Sequence, residues 1–205
     1  MKNVLTLGLT CMALLVATSA MANERVGDPY TLNTCPISGE KLGSMGDAPV
    51  YVGEDGKEVR FCCAGCEKKY VANKAALDEA IDKKLMADQE AHYPSNTCIN
   101  SGAELKDGGV AFIAGNRLMK TCCAKCKAKV QADPATYIAK LDEQVVAAQK
   151  DSYKGEVCPI SGKDLGDSPE SVVIANRLVQ VCCGGCKSKV AADPLAAFEK
   201  VAAKK

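Results

Sequence analysis

The chain has 205 residues, 26 basic and 25 acidic side chains, a net charge of +1, one histidine, no tryptophan and thirteen cysteines. Balanced charge without runs of one sign leaves no footprint for nucleic acid or for an anionic membrane surface. With a single histidine and no HExxH, phosphate loop, Gly-x-Ser-x-Gly or Ser/His/Asp constellation in the sequence, the chain is not expected to be an enzyme.

In chain order, the first feature is a leader. Met1-Lys2-Asn3 precedes an apolar run from Val4 to Val16 and then Ala20-Met21-Ala22. A basic start, a short apolar core and an A-x-A site predict a signal peptide over residues 1–22. The run is shorter than the roughly 20 residues that span a bilayer. The expected mature protein is therefore periplasmic or secreted, with no membrane anchor after cleavage. Cys11 falls in the leader, so twelve cysteines remain.

Those twelve are written as one unit three times. Cys62-Cys63-x-x-Cys66, Cys122-Cys123-x-x-Cys126 and Cys182-Cys183-x-x-Cys186 recur with a period of 60, each after a lone Cys35, Cys98 or Cys158. A tyrosine stands five positions before each lone cysteine (Tyr30, Tyr93, Tyr153), and Ser-Gly follows it (Ser38-Gly39, Ser101-Gly102, Ser161-Gly162). Self-similarity of this kind predicts three tandem modules, at residues 23–92, 93–152 and 153–205. Units this small bury little surface and commonly need a metal or disulfides as a staple.

Within each unit, Ser-Gly marks a tight turn. Next come apolar or β-branched runs around Gly or Asn: Val50–Val52 with Glu58–Phe61, Val110–Ile113 with Leu118-Met119, and Val172–Ile174 with Leu178–Val181. These predict β-hairpins. A helix is expected from each triplet to about Ala72, Ala132 and Ala192. Asn73-Lys74, Asp133-Pro134 and Asp193-Pro194 then cap a second helix. Stripes of Leu77, Ile81 and Leu85, and of Tyr137, Ile138, Leu141 and Val145, predict core faces. The three tyrosines read as hydrophobic plugs, and His92, Arg117 and Arg177 as surface residues. The expected fold is a small α+β chain of three modules, each with a turn, a hairpin and one or two helices.

Cysteines three or four apart share a helix face, and a helix start lowers thiol pKa. The triplets therefore present clustered sulfurs. If the hairpin folds back, Cys35 joins Cys62, Cys63 and Cys66; Cys98 joins Cys122, Cys123 and Cys126; Cys158 joins Cys182, Cys183 and Cys186. Four sulfurs suit tetrahedral Zn²⁺; three suit Cu⁺ or another thiophilic ion.

These residues also carry a family resemblance. A lone cysteine followed at a distance by Cys-x-x-x-Cys at the end of a hairpin resembles the TRASH domain. Cys-Pro-Ile-Ser-Gly, Cys-Cys-x-x-Cys and Asp-Pro are similar to YHS-type heavy-metal-binding modules. The resemblance implies a treble-clef-like zinc-finger fold and a role in metal sensing, trafficking or resistance. It implies Cys35, Cys62, Cys66, Cys98, Cys122, Cys126, Cys158, Cys182 and Cys186 as ligands. Serine stands at Ser38, Ser101 and Ser161 where the usual knuckle has its second cysteine, which leaves Cys63, Cys123 and Cys183 either as replacement ligands or as free thiols. Two further readings stay open: disulfides, the usual state of exported cysteines, and a redox dithiol at Cys63-x-x-Cys66. If a metal is only structural, the modules are interaction domains for a protein partner.

Overall fold

The computed structural model describes residues 24–202; the expected leader and Cys11 lie outside the described residues. The first repeat supplies β1 (Val50–Val52), β2 (Glu58–Arg60), α1 (Ala64–Ala72) and α2 (Lys74–Gln89). The second supplies β3 (Val110–Ala114), β4 (Arg117–Thr121), α3 (Ala124–Ala132) and α4 (Pro134–Gln149). The third supplies β5 (Glu170–Ile174), β6 (Arg177–Val181), α5 (Gly184–Ala192) and α6 (Leu195–Ala202). The described residues thus form a small mixed α+β structure with three separate two-stranded antiparallel sheets. No helix among them is long and apolar enough to cross a membrane.

The local chemistry explains these boundaries. Gly115-Asn116 and Ala175-Asn176 all have positive φ, between 51° and 58°. The registers Ala114↔Arg117 and Ile174↔Arg177 close two-residue loops, and such primed turns match the right-handed twist of a hairpin. Asp133 caps α4 by accepting from the Thr136 N–H, with Pro134 in the first turn, where a missing N–H costs nothing.

A two-stranded hairpin cannot bury a core by itself. Here the long helix of one repeat packs on the hairpin of the next: α2 on β3 and β4, and α4 on β5 and β6. Ile138, Leu141 and Val145 of α4 share one core with Phe112 and Met119 of their own repeat and Val173 and Leu178 of the third.

Polar side chains lock the same joints, once per period. Gln89 donates from Nε2 to the Asn116 carbonyl (2.8 Å) and accepts the Leu118 N–H at Oε1 (2.8 Å). Gln149 does the same to Asn176 and Leu178 (2.8 and 2.9 Å). In return Asn116 Nδ2 donates to the Glu58 carbonyl (2.8 Å) and Asn176 Nδ2 to the Leu118 carbonyl (3.2 Å). The first and third repeats also meet: Arg25 and Arg60 donate to the carbonyls of Ala191 and Ala192, and the Ala175 N–H to Asp28 Oδ2. Every repeat therefore touches both others.

Arg117 corrects the sequence reading. It is not a solvated turn residue but fully buried, because the hairpin turns are packed against neighbouring repeats. Its guanidinium forks onto both oxygens of buried Asp28 (2.6 and 2.8 Å) and reaches Asp142 (2.7 Å) and the Val173 carbonyl (3.0 Å). Burial alone disfavours the charge; Asp28 and then Asp142 more than offset this and raise the Arg117 pKa. Arg177 reaches Asp88 through Nη2 alone, at 2.9 Å to Oδ1 and 3.1 Å to the carbonyl, in a partly exposed setting. His92 is half-buried, and its carbonyl accepts from Gln149 Nε2.

Candidate metal centre

Each site is built from two ends of a repeat. The lone cysteine sits in a turn closed by its own backbone: the Cys35 N–H donates to the Glu40 carbonyl (2.7 Å) and the Gly39 N–H to the Cys35 carbonyl (2.9 Å). Cys98 and Cys158 repeat both bonds. Gly39, Gly102 and Gly162 turn the chain at φ +77°, +73° and +72°, angles that glycine adopts without steric cost. The other sulfurs arrive where the second hairpin strand runs into a helix. Only the last cysteine of each triplet lies inside the helix, since α1, α3 and α5 start two residues before it. The middle cysteine is the N-cap, with extended φ of −161°, −161° and −168°. The first precedes the helix altogether. Cys62 and Cys66 therefore meet because the chain bends at Cys63, not because they share a helix face as the spacing predicts.

The structure brings together Cys35, Cys62 and Cys66; Cys98, Cys122 and Cys126; and Cys158, Cys182 and Cys186, with all three sulfurs of a set within 4.8 Å of one another. All twelve cysteines among the described residues are free thiols. The middle cysteines fall outside these mutual sets, yet their sulfurs lie 4.0, 3.9 and 3.8 Å from those of Cys62, Cys122 and Cys182. The first-to-last separations are 3.6, 3.7 and 3.8 Å. A tetrahedron with metal–sulfur bonds of about 2.3 Å has edges of about 3.8 Å, so the spacing of the sulfurs fits a thiolate-bound metal ion.

The sites are prepared for negative charge at the lone cysteine. Burial by itself raises the Cys35 thiol; the Ser38 hydroxyl and the backbone N–H groups of Cys62, Ser38 and Ile37 outweigh it and bring the pKa to about 6. Cys98 and Cys158 also stand at about 6 despite burial, through Ser101 or Ser161 and the equivalent backbone groups. Such a nest of N–H groups is an anion site made by turn geometry. In the first and third repeats the last cysteine goes the other way. Burial and then the adjoining sulfurs push Cys66 and Cys186 up to about 12. The middle thiols are lowered, chiefly by backbone N–H groups at the helix start. A cluster that keeps some protons until a cation arrives binds metal with proton release.

Sequence spacing points to the cysteines but misses what frames them. The serines three residues after the lone cysteines face the sites: their hydroxyls lie 3.3, 3.6 and 3.3 Å from the sulfurs of Cys62, Cys122 and Cys182. Asn100 is a further framing group. Its Nδ2 donates to Cys126 Sγ at 3.2 Å. The signal was a break in the repeat, with Asn100 standing where the others have Ile37 and Ile160.

The chain matches no family model, no curated protein and no solved structure.

Proposed function

We propose that the protein is an exported thiolate metal-binding protein that buffers or traffics zinc, with Cu⁺ or another thiophilic ion as the next candidate, and that each repeat holds one ion. The observation that carries this reading is the convergence of three sulfurs in every repeat, at least two of them buried, at separations suited to a shared metal, with no cysteine among the described residues paired into a disulfide. The cysteine turn, hairpin and helix follow one another as in a treble clef, which supports assigning the repeats to TRASH- or YHS-type modules. The middle cysteines complete a four-sulfur centre by rotating toward the metal. The partner is the metal ion, and no residue constellation calls for an enzymatic role.

Two measurements test this. Reduced full-length mature protein dialysed against Zn²⁺ should retain three equivalents by elemental analysis, and Cys66→Ser should retain two. Absence of bound metal with twelve blocked thiols in protein taken from its own compartment would overturn the reading. Circular dichroism after complete chelation separates cargo from structural metal: a helical spectrum that survives stripping identifies cargo, whereas a melted one makes binding energy folding energy and the repeats metal-stapled interaction modules.

A further inference from the structure

The three sulfur sets are not equivalent. In the first repeat all three sulfurs are buried; in the second Cys122 is exposed; in the third Cys182 is half-buried. In the first repeat Cys35, Cys62 and Cys66 belong to a large apolar core with Phe61, Tyr70, Ile81 and Leu85, and in the third Cys158 and Cys186 join Val172, Val181 and Val190. In the second, Cys98 and Cys126 share a separate small cluster with Leu105 alone.

The residue two positions after the lone cysteine divides them in the same way. Ile37 and Ile160 pack as partly buried apolar cover on their clusters. Asn100 instead donates its amide N–H to Cys126 Sγ, and the Tyr137 hydroxyl fixes it by donating to Asn100 Oδ1 at 2.6 Å. One period upstream and one period downstream of Tyr137 stand Leu77 and Ala197, so this hydrogen-bonded pair exists only in the second repeat. An outer-shell group that accepts from a ligand strengthens that ligand, and such partners typically change metal affinity by about 10–100-fold. A group that donates to a sulfur does the reverse, because it draws electron density away from the metal–sulfur bond. An exposed Cys122 adds a route for a competing ligand to reach the ion, and a dry apolar shell, which limits that access elsewhere, is missing.

We propose that the second repeat is the exchange site of the protein, releasing its thiophilic ion readily, while the first and third are retention sites, with Asn100 as the residue that sets the difference. This rests on the metal-binding reading above. The test uses the full mature chain loaded with Zn²⁺ and mixed with excess chromophoric chelator in a stopped-flow instrument. One equivalent should leave at least about tenfold faster than the other two. Asn100→Ile should slow that phase toward the others while leaving total zinc unchanged, and Cys122→Ser should remove it while sparing the slow phases. Three equivalents leaving in a single phase, or a fast phase untouched by both substitutions, would overturn the assignment while leaving the metal-binding reading intact. A chain that takes up no zinc defeats that reading, and the assignment with it.

Discussion

Arg117→Ala removes a guanidinium whose partners sit in all three repeats, and its cost can be built up from the structure. Two carboxylates lose their cation. The Asp142 side chain is 36% exposed and is rehydrated; that of Asp28 is 6% exposed and is not. Stranding one partner of a buried ion pair costs about 3–5 kcal/mol. Asp28 keeps the Ala175 N–H at 2.6 Å, which places the loss near the lower end, about 3 kcal/mol. Arg177→Ala provides the contrast, because its pair with Asp88 is 22% and 31% exposed. That pair contributes about 0–1 kcal/mol, and the stacking of Arg177 over Phe198 at 4.9 Å adds about 0.5–1 kcal/mol. In urea or thermal unfolding of metal-loaded protein, Arg117→Ala should lose roughly twice as much as Arg177→Ala, with a melting point lower by about 6–12 °C. Adding Asp28→Asn to Arg117→Ala should restore part of the loss, since no charge is then stranded. Equal losses for the two arginines, or no recovery in the double variant, would refute the argument from an uncompensated buried carboxylate.

Three other outcomes follow from single residues. Burial raises the Glu58 carboxyl, but Arg25, the Tyr30 N–H and Arg60 hold it below its ordinary 4.5, so its contribution is whole above pH 4.5 and is lost as pH falls through the lowered value. Glu58→Gln should therefore be less stable than wild type by about 2 kcal/mol near neutrality, and the gap should close in acid when unfolding is followed at a series of pH values. Gly115→Ala should cost about 1–3 kcal/mol, because a Cβ there would lie 2.5 Å from the Val26 carbonyl oxygen at φ +54°; its denaturation midpoint checks this. In metal-free reduced protein, mass mapping after brief iodoacetamide treatment should find Cys122, Cys123 and Cys183 alkylated before Cys35, Cys98 and Cys158, because the first group is exposed and the second buried. Metal loading should protect the exposed Cys122.

The helices were legible because their determinants are local. Asp-Pro caps, apolar stripes and the Asn turns sit within a few residues of what they control. The joints were not legible from any one repeat. Hairpin turns ordinarily face water, and nothing near Arg117 in sequence says that another repeat covers it. Arg117 and Arg177 both find their aspartates 89 residues upstream, so the pairing was encoded in the repeat period, with Asp28 and Asp88 themselves one period apart. The triplet chemistry was read correctly as clustered sulfur, but its helical register was not. A cysteine that leaves the strand in extended conformation starts the helix two residues late, a choice set by how the strand end meets the helix. Asn100 shows the reverse case, in which a departure from the repeat, rather than the repeat itself, marked a distinct site.

In the second and third hairpins the joint at the turn and the sulfurs occupy opposite ends. Asn116 and Arg117 stand at the turn, whereas Cys122 follows the far end of β4; five residues of strand separate them by about 17 Å. The clasp made at these turns thus consists of amide and guanidinium groups remote from the sulfurs of their own hairpins, and filling or emptying those sites exerts little leverage on it. The Arg60–Ala192 contact, two residues before Cys62, is the joint that lies close to a ligand. The assembly would behave as a rigid rack whose contours are nearly the same loaded or bare, so a receptor that distinguishes the two forms must inspect the sulfur-bearing ends themselves. Small-angle scattering profiles that superimpose before and after chelation would bear this out, and a change in radius of gyration would count against it.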